Sequence, residues 1–284
     1  QPDQIGGVIV PGTTGEQHSL SVDEKKKLFK LAVDSASEFS ISILAGVSAT
    51  STFDAVDLAK CAVASGCGGI MLGLPPYLRL SDAEATAYVE AVHATVPVNF
   101  PILLYNNVGR NGTGPSVEVL VSWFRRGLIW GIKHANVPHE VFIKESIEMV
   151  SLEPALRLYT GSDVSSKSLL TAASERKLSL PRFYGLTSII GNVYPEETAL
   201  MVVGLLFGEG SAVSSAESLH ANLVEVASAS LIGSSLPVGL KYAMRKLSGE
   251  KLGGWSRLPL GHLTEEKMTE IDVSLTKFNA KTRL

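Results

Sequence analysis

LIWGIKH, residues 128–134, is an apolar run of strand length that ends on a lysine and a histidine. It shows no apolar–polar alternation before the lysine, which is typical of a strand buried on both faces. Lys133 therefore starts from a protein interior, where burial disfavours the charged ammonium and lowers its pKa. A neutral amine is a nucleophile that can form a Schiff base with a carbonyl compound. Taken alone, the run also fits a surface lysine whose apolar stem is covered.

Apolar runs of the same kind recur along the chain and predict its fold. They begin near residues 7, 41, 69, 101, 129, 157 and 183, and segments of helical spacing separate them. The first of these helices opens with a capping box, Ser21 as N-cap and Glu24 three residues later. Regular strand–helix alternation predicts an α/β fold with a parallel sheet. A (β/α)8 barrel has eight strands, and we count seven. We therefore expect a TIM barrel whose first strand is absent from this sequence, with an open sheet as the alternative.

The pattern changes after Pro195, where only helical segments follow. We expect helices over 196–207, 214–231, 237–248 and 264–278, with linkers at 212–215 and 249–254. This predicts two domains: a catalytic barrel over residues 1–195 and a C-terminal helical domain over residues 196–284. The second domain contains no further constellation of catalytic residues.

Composition narrows the function classes. The chain has 284 residues, is 45% hydrophobic and carries a formal net charge of −3, with no dense basic patch that would favour nucleic acid. Cys61 and Cys67 fit small core residues, and the six histidines are scattered without metal-ligand spacing. No apolar run reaches the roughly 18 residues of a membrane span. We expect no nucleic acid, membrane or metal partner. We expect a cytoplasmic location, or the mitochondrial matrix if a targeting segment is missing.

Candidate catalytic residues follow the predicted strands, at the rim where barrels of this type place their sites. Any one of them alone could be structural, but their convergence with a buried lysine favours a site. Lys133 can condense with a 2-keto acid, and the iminium then acts as the electron sink. Tyr105 can move protons. The turn 12–15 can hold a carboxylate with hydroxyls and N–H groups, and Arg110 can bind a second one. The full set is Thr13, Thr14, Tyr77, Tyr105, Arg110, Lys133 and the turn Gly161-Ser162-Asp163.

These residues lie in motifs that resemble one enzyme family. The motifs are Gly-Thr-Thr-Gly-Glu at 12–16, Tyr105-Asn106 with Arg110 and Gly112, Gly131-Ile132-Lys133, Gly161-Ser162-Asp163, Gly185-Leu186-Thr187-Ser188 and Arg257-Leu258-Pro259-Leu260. From about residue 6 to residue 260 their order and spacing resemble the dihydrodipicolinate synthase/N-acetylneuraminate lyase family. The resemblance implies a (β/α)8 barrel with a C-terminal helical domain, pyruvate as substrate, and no metal or organic cofactor.

The resemblance also implies catalytic roles. Lys133 would form the Schiff base with pyruvate, and Tyr105 and Thr13 would belong to the proton relay. Tyr77 would match the relay tyrosine that synthases insert across a subunit interface, which implies a homodimer or a homotetramer.

Substrate-binding roles follow from the same resemblance. Thr14 would bind the pyruvate carboxylate, and Arg110 would meet the second substrate. The residues that would bound the second-substrate pocket fit neither the synthase nor the sialic-acid lyase pattern; they are Gly161, Ser162, Asp163, Thr187 and Ile190.

The predicted function is therefore a pyruvate-dependent Schiff-base lyase or aldolase. It cleaves or forms a 2-keto-3-deoxy sugar acid or 4-hydroxy-2-oxoglutarate, so its second partner molecule is an aldehyde. One alternative is dihydrodipicolinate synthase proper, which condenses pyruvate with aspartate semialdehyde. A non-catalytic keto-acid-binding paralogue is the alternative from another class. The sequence names neither the aldehyde nor the direction of the reaction.

Overall fold

Among the residues that the structure describes, seven parallel strands form one sheet in chain order, from β1 to β7. They are β1 Gly7–Val10, β2 Ser42–Val47, β3 Gly69–Gly73, β4 Ile102–Asn106, β5 Gly131–His134, β6 Leu158–Thr160 and β7 Phe183–Leu186. The structure, a computed structural model, describes residues 6–135, 138–176, 183–231 and 236–282. Each strand lies in an apolar run that the sequence predicts, and the α/β barrel-type fold is confirmed.

The register of the strands sets two rows of side chains on opposite faces of the sheet. One row is fully buried and apolar; it consists of Leu72, Leu104, Ile132 and Leu158. The next residue of each strand belongs to the other row, which consists of Gly73, Tyr105, Lys133 and Tyr159. The apolar row supplies the fully buried side of these strands. The second row contains Tyr105 and Lys133, two of the residues predicted for the site.

Within the described part of the chain, seven α-helices connect or follow these strands. They are α1 Val22–Ala36, α2 Thr52–Ala64, α3 Asp82–His93, α4 Val108–Asn111, α5 Val117–Arg125, α6 His139–Leu152 and α7 Ser166–Glu175. The predicted capping box is present, because the Ser21 side chain accepts from the Glu24 N–H and Glu24 returns a bond to the Ser21 N–H. The four-residue α4 is not predicted from the sequence, since one turn shows no periodicity.

Two compact units divide the chain. The first comprises residues 6–11 and 20–187, and the second comprises residues 12–19 together with residues from 188 onward. The second unit contains α8 Pro195–Phe207, α9 Ser211–Leu231, α10 Leu236–Ser248 and α11 Glu265–Thr282. Helix α9 begins at Ser211, so the expected linker at 212–215 is wrong. Within the described residues, none of the helices is both long and apolar enough to cross a membrane.

Candidate active site

Lys133 lies near the carboxyl end of β5, one residue before the strand ends at His134. Its register partners are Tyr105 on β4 and Tyr159 on β6, so a tyrosine flanks the lysine on each neighbouring strand. The carboxyl ends of barrel strands form the rim that holds the active site in enzymes of this architecture. The structure thus brings the two strongest sequence-predicted residues, Lys133 and Tyr105, together.

The Lys133 amine lies over the ring of Tyr105, with Nζ 4.8 Å from the ring centroid. Burial lowers the pKa of Lys133 to about 8, and the Asp163 carboxylate partly opposes that shift. Roughly a tenth of such an amine is neutral at pH 7, against less than about a thousandth for an ordinary lysine. The lowered pKa agrees with the expectation from the buried strand. It gives Lys133 the nucleophilic form that imine chemistry needs.

Gly161 provides the space beside the lysine. A Cβ at this position would lie 3.1 Å from Lys133 Cε and 2.6 Å from Ala135 Cβ, which is closer than side chains pack. The Gly161 N–H donates to the carbonyl of His134 at 2.8 Å and so fixes the turn after β6 against β5. A larger residue here would displace the lysine stem.

The turn after β6 holds the other residues predicted for this side of the site. Asp163 is buried, 5% exposed, and its charge acts on Lys133. Ser162 bonds within its own turn: its hydroxyl donates to Ser165 Oγ at 3.1 Å and accepts from the Ser165 N–H at 3.2 Å. Thr187 follows β7 and donates its N–H to the Thr160 carbonyl at 2.8 Å. Asp163 is therefore the member of this turn with a clear effect on the lysine.

Two asparagines hold Tyr105, and the sequence analysis assigned neither a role. Asn107 Nδ2 donates to the Tyr105 hydroxyl at 3.1 Å, and Asn111 Nδ2 donates to the Tyr105 carbonyl at 2.8 Å. Asn107 also caps α4 by accepting from the Arg110 N–H at 3.1 Å. Arg110 itself is exposed on that short helix. The signal for both asparagines was present, because they lie inside the tyrosine motif.

Tyr77 is 96% exposed, so its ring contacts almost nothing in the single chain. Its φ of 80° lies in the left-handed region, which is costly for a residue other than glycine. The backbone beside it is closely packed, because a Cβ at Gly112 would lie 2.9 Å from the Leu78 carbonyl oxygen. The structure holds Tyr77 at a fixed place on the surface but does not bring its ring to Lys133.

Thr13, Thr14 and Ile190 belong to the second compact unit. Both threonines are half-buried in a tight turn, in which the Gly12 carbonyl accepts from the Gly15 N–H at 3.1 Å. Ile190 is fully buried at the start of a short 3-10 helix, Ile190–Asn192. Three of the predicted site residues are thus placed by the C-terminal unit and its associated turn.

Glu16 fixes this turn, and it is another residue to which the sequence analysis gave no role. It is 4% exposed, accepts from the Arg257 N–H at 2.8 Å and forms an ion pair with Lys241. Burial alone would raise the pKa of Glu16, but the bonds from Lys241 and Arg257 outweigh it and hold the pKa below its usual value. The Gly-Thr-Thr-Gly-Glu turn is therefore anchored by its last residue.

Two further expectations concern metals and cysteines. Across residues 6–135, 138–176, 183–231 and 236–282, no three His, Cys, Asp or Glu side chains gather where they could hold a metal ion. Cys61 and Cys67 are free thiols; Cys67 is buried as expected for a small core residue, whereas Cys61 is partly exposed and does not meet that expectation.

Comparison with known proteins decides the family. The sequence profile of the dihydrodipicolinate synthetase family matches residues 3–278. The chain belongs to the dihydrodipicolinate synthetase family. A 4-hydroxy-tetrahydrodipicolinate synthase of Wolinella succinogenes is 30% identical over 275 residues, which cover 96% of this chain and 86% of that protein. One of Campylobacter jejuni is 26% identical and covers 98% of this chain and 87% of its own length.

Solved structures agree with the family. The 4-hydroxy-tetrahydrodipicolinate synthase of Methylacidiphilum fumariolicum SolV superposes with a TM-score of 0.84 at 27% identity, covering 98% of this chain and 86% of its own. YagE of E. coli K12, solved in complex with pyruvate, has a TM-score of 0.83 at 21% identity and covers 98% and 88%; this likeness concerns the fold. Members of the dihydrodipicolinate synthetase family are lyase- and aldolase-type enzymes, so the predicted enzyme class is confirmed.

Proposed function

We propose that this protein is a pyruvate-dependent Schiff-base lyase or aldolase. The observation that carries the proposal is the Lys133 amine, which has a pKa of about 8 and lies 4.8 Å from the centre of the Tyr105 ring. Its substrate is a 2-keto-3-deoxy sugar acid or 4-hydroxy-2-oxoglutarate, which it cleaves or forms. Membership of the family supports the reaction class, and the departures in the pocket motif support this substrate class.

The atoms and electrons of the cleavage balance with the Lys133 amine, water and transferred protons alone. The neutral Lys133 amine adds to the C2 carbonyl of the keto acid, and water leaves to give an iminium. The C3–C4 bond then breaks. Its electron pair enters the iminium to give an enamine, while the C4 hydroxyl loses its proton and becomes an aldehyde. C3 takes up a proton, and water releases pyruvate and the free amine. The iminium is itself the electron sink, so the step needs no metal or organic cofactor.

Four further residues complete the proposal with the roles that their motifs imply. Thr13 joins Tyr105 in the proton relay, and Thr14 binds the pyruvate carboxylate. Tyr77 enters the relay of a neighbouring subunit, and its exposed ring and strained backbone support this role. The protein would accordingly be a homodimer or a homotetramer. Arg110 binds a carboxylate or hydroxyl of the second substrate from its exposed position on α4.

The second-substrate pocket is proposed to be bounded by Gly161, Ser162, Asp163, Thr187 and Ile190. Synthase activity with aspartate semialdehyde is a second candidate. The names of the relatives at 26% to 30% identity favour it, as does an exposed Arg110 able to bind the carboxylate of that aldehyde. A cytoplasmic location remains part of the proposal.

The reaction class is tested by trapping the imine. Pyruvate followed by borohydride should leave a reduced adduct on Lys133, found by peptide mass spectrometry. The adduct should be absent from Lys133→Met and present in Lys25→Met, which removes a buried lysine of the same unit. A folded protein that forms no adduct would favour the non-catalytic keto-acid-binding paralogue.

The substrate is tested by comparing two reactions of the same preparation. Release of pyruvate from 2-keto-3-deoxy sugar acids and 4-hydroxy-2-oxoglutarate should exceed condensation of pyruvate with aspartate semialdehyde in kcat/KM. Faster condensation would replace the aldolase proposal with the synthase.

A further inference from the structure

Behind the reacting pair lies a second pair of residues. Tyr105 and Lys133 are register partners, and so are the next residues of the same strands, Asn106 and His134. Successive residues of a strand point to opposite faces. Asn106 is 1% exposed and His134 is 0% exposed. Two buried polar side chains therefore stand back to back with the proposed catalytic tyrosine and lysine.

A hydrogen bond joins this second pair. Asn106 Nδ2 lies 3.0 Å from His134 Nδ1. An amide nitrogen only donates, so Nδ1 accepts and the ring proton resides on Nε2. Nε2 lies 3.2 Å from Glu145 Oε2 on α6, and the ring stacks on Phe142 of the same helix with centroids 5.2 Å apart. His134 thereby connects β4, β5 and α6 at one point.

This buried polar pair is costly for stability. Asn106 Oδ1 and His134 Nε2 are both buried without a hydrogen-bond partner among the described residues, so the 3.2 Å approach of Nε2 to Glu145 Oε2 is a close contact without hydrogen-bond alignment. Each such group loses its hydrogen bonds to water without replacement, and apolar residues of the same shape would avoid that cost. A buried polar pair that costs stability while joining specific elements acts to fix one arrangement of them.

We propose that Asn106, His134 and Glu145 form a positioning clamp that holds the carboxyl ends of β4 and β5 in the register that keeps Tyr105 against the Lys133 amine. The inference rests on the proposed function. These are positioning residues without substrate contact. They act through the backbone, because any shear of β4 against β5 moves both faces of the strands together.

Loss of the clamp has a defined chemical signature. Among the described residues, the titratable groups placed around Lys133 are Tyr105 from β4, its register partner Tyr159 from β6 and the Asp163 carboxylate from the turn after β6. A loosened β5 admits water to the amine, which raises its pKa toward the ordinary value and reduces its neutral fraction at pH 7. Each pKa unit lowers that fraction about tenfold. Affinity for pyruvate, set elsewhere in the site, should change less than the rate.

The test is the pH profile of pyruvate trapping from pH 6 to 10, with KM and kcat measured alongside. The wild-type midpoint should lie near 8. In Asn106→Leu and His134→Phe it should move upward by half a unit or more, with a threefold to tenfold slower rate at pH 7. His134→Gln should restore part of the profile, because its amide can accept from Asn106 and donate to Glu145.

A matched control is Ser146→Ala. It removes a fully buried polar atom from the same helix, next to Glu145, without touching the clamp. Its profile should match the wild type. Unchanged midpoints in folded Asn106→Leu and His134→Phe would overturn the clamp.

The measurements distinguish failure of the clamp from failure of the proposed function. If wild type forms no pyruvate adduct, the proposed function fails. The pKa of Lys133 is then read by trace acetylation with acetic anhydride and mass spectrometry. A raised pKa in the two variants would still support the clamp, and an unchanged one would overturn it.

Discussion

Two lysines of the first compact unit are withdrawn from solvent but have different partners. Lys25 on α1 is 6% exposed, and its amine donates to the Ser48 carbonyl at 2.9 Å. Burial lowers the pKa of Lys25, with the Asp54 charge opposing, and it lowers the pKa of Lys133 to about 8. The Lys133 amine faces an aromatic ring instead of a carbonyl. Burial alone does not make a lysine reactive; the nature of the group facing its nitrogen separates the two.

The largest expected effect tests what that aromatic partner supplies. Tyr105→Phe keeps the ring over Lys133 and removes the hydroxyl. The pH midpoint of imine trapping should therefore stay near 8. Turnover should fall about 10²- to 10⁴-fold, because a proton-transfer group is lost. Steady-state kinetics measure turnover, and borohydride trapping measures the pH midpoint of imine formation. Tyr88→Phe removes another buried hydroxyl, which donates to the Gly73 carbonyl at 3.1 Å, and serves as the control. Unchanged turnover in Tyr105→Phe would show that Tyr105 contributes to catalysis through its ring and not through its hydroxyl.

A second prediction compares how the two lysines affect the free energy of unfolding of the protein. The folded protein carries a charged, poorly solvated Lys133 below pH 8, so Lys133→Met should raise the free energy of unfolding at pH 7 by up to about 3 kcal/mol. Between pH 8 and 10.5 the folded wild type loses this proton while the unfolded chain keeps it, so wild-type stability rises with pH. The advantage of the variant should shrink over that range.

Lys25→Met provides the contrast. It removes a buried charge but also the donor to Ser48, so the two effects oppose and the net change should stay under about 1 kcal/mol. Urea unfolding of both variants at pH 7 and pH 9.5 measures this. Equal gains for both lysines would show that the partner of the amine has no influence.

Much of the fold follows from local sequence. Buried strands read as apolar runs without alternation, and Ser21 with Glu24 marks a helix start because both capping bonds are local. Prediction from local sequence fails where the local preference for a helix is weak. The sequence predicts a linker at the Ser-rich start of α9, because serine has no strong helix preference. One-turn α4 is set by the Asn107 cap rather than by any repeat.

The sequence predicts those residues of the site that lie at the ends of strands. Lys133 and Tyr105 both end apolar runs, and parallel strands bring such ends to one rim. Contacts between side chains are not encoded in spacing. The bond of Ser162 to Ser165 and the pairing of Asn106 with His134 depend on register and on how the turn closes. The sequence analysis gives His134 no role, and the proposed clamp places it on the face of β5 opposite Lys133.

The smallest expected effect concerns the space around the amine. Gly161→Ala would place a Cβ 2.6 Å from Ala135 Cβ and 3.1 Å from Lys133 Cε, so Ala135 and the lysine stem must shift to make room. Displacement of a nucleophile by a fraction of an ångström should slow imine trapping about threefold to tenfold. Gly261→Ala is the control, since a Cβ there meets nothing within 4 Å. A normal trapping rate for Gly161→Ala would show that the lysine tolerates movement, and that its distinction from Lys25 lies in burial and in the ring rather than in the space that glycine leaves.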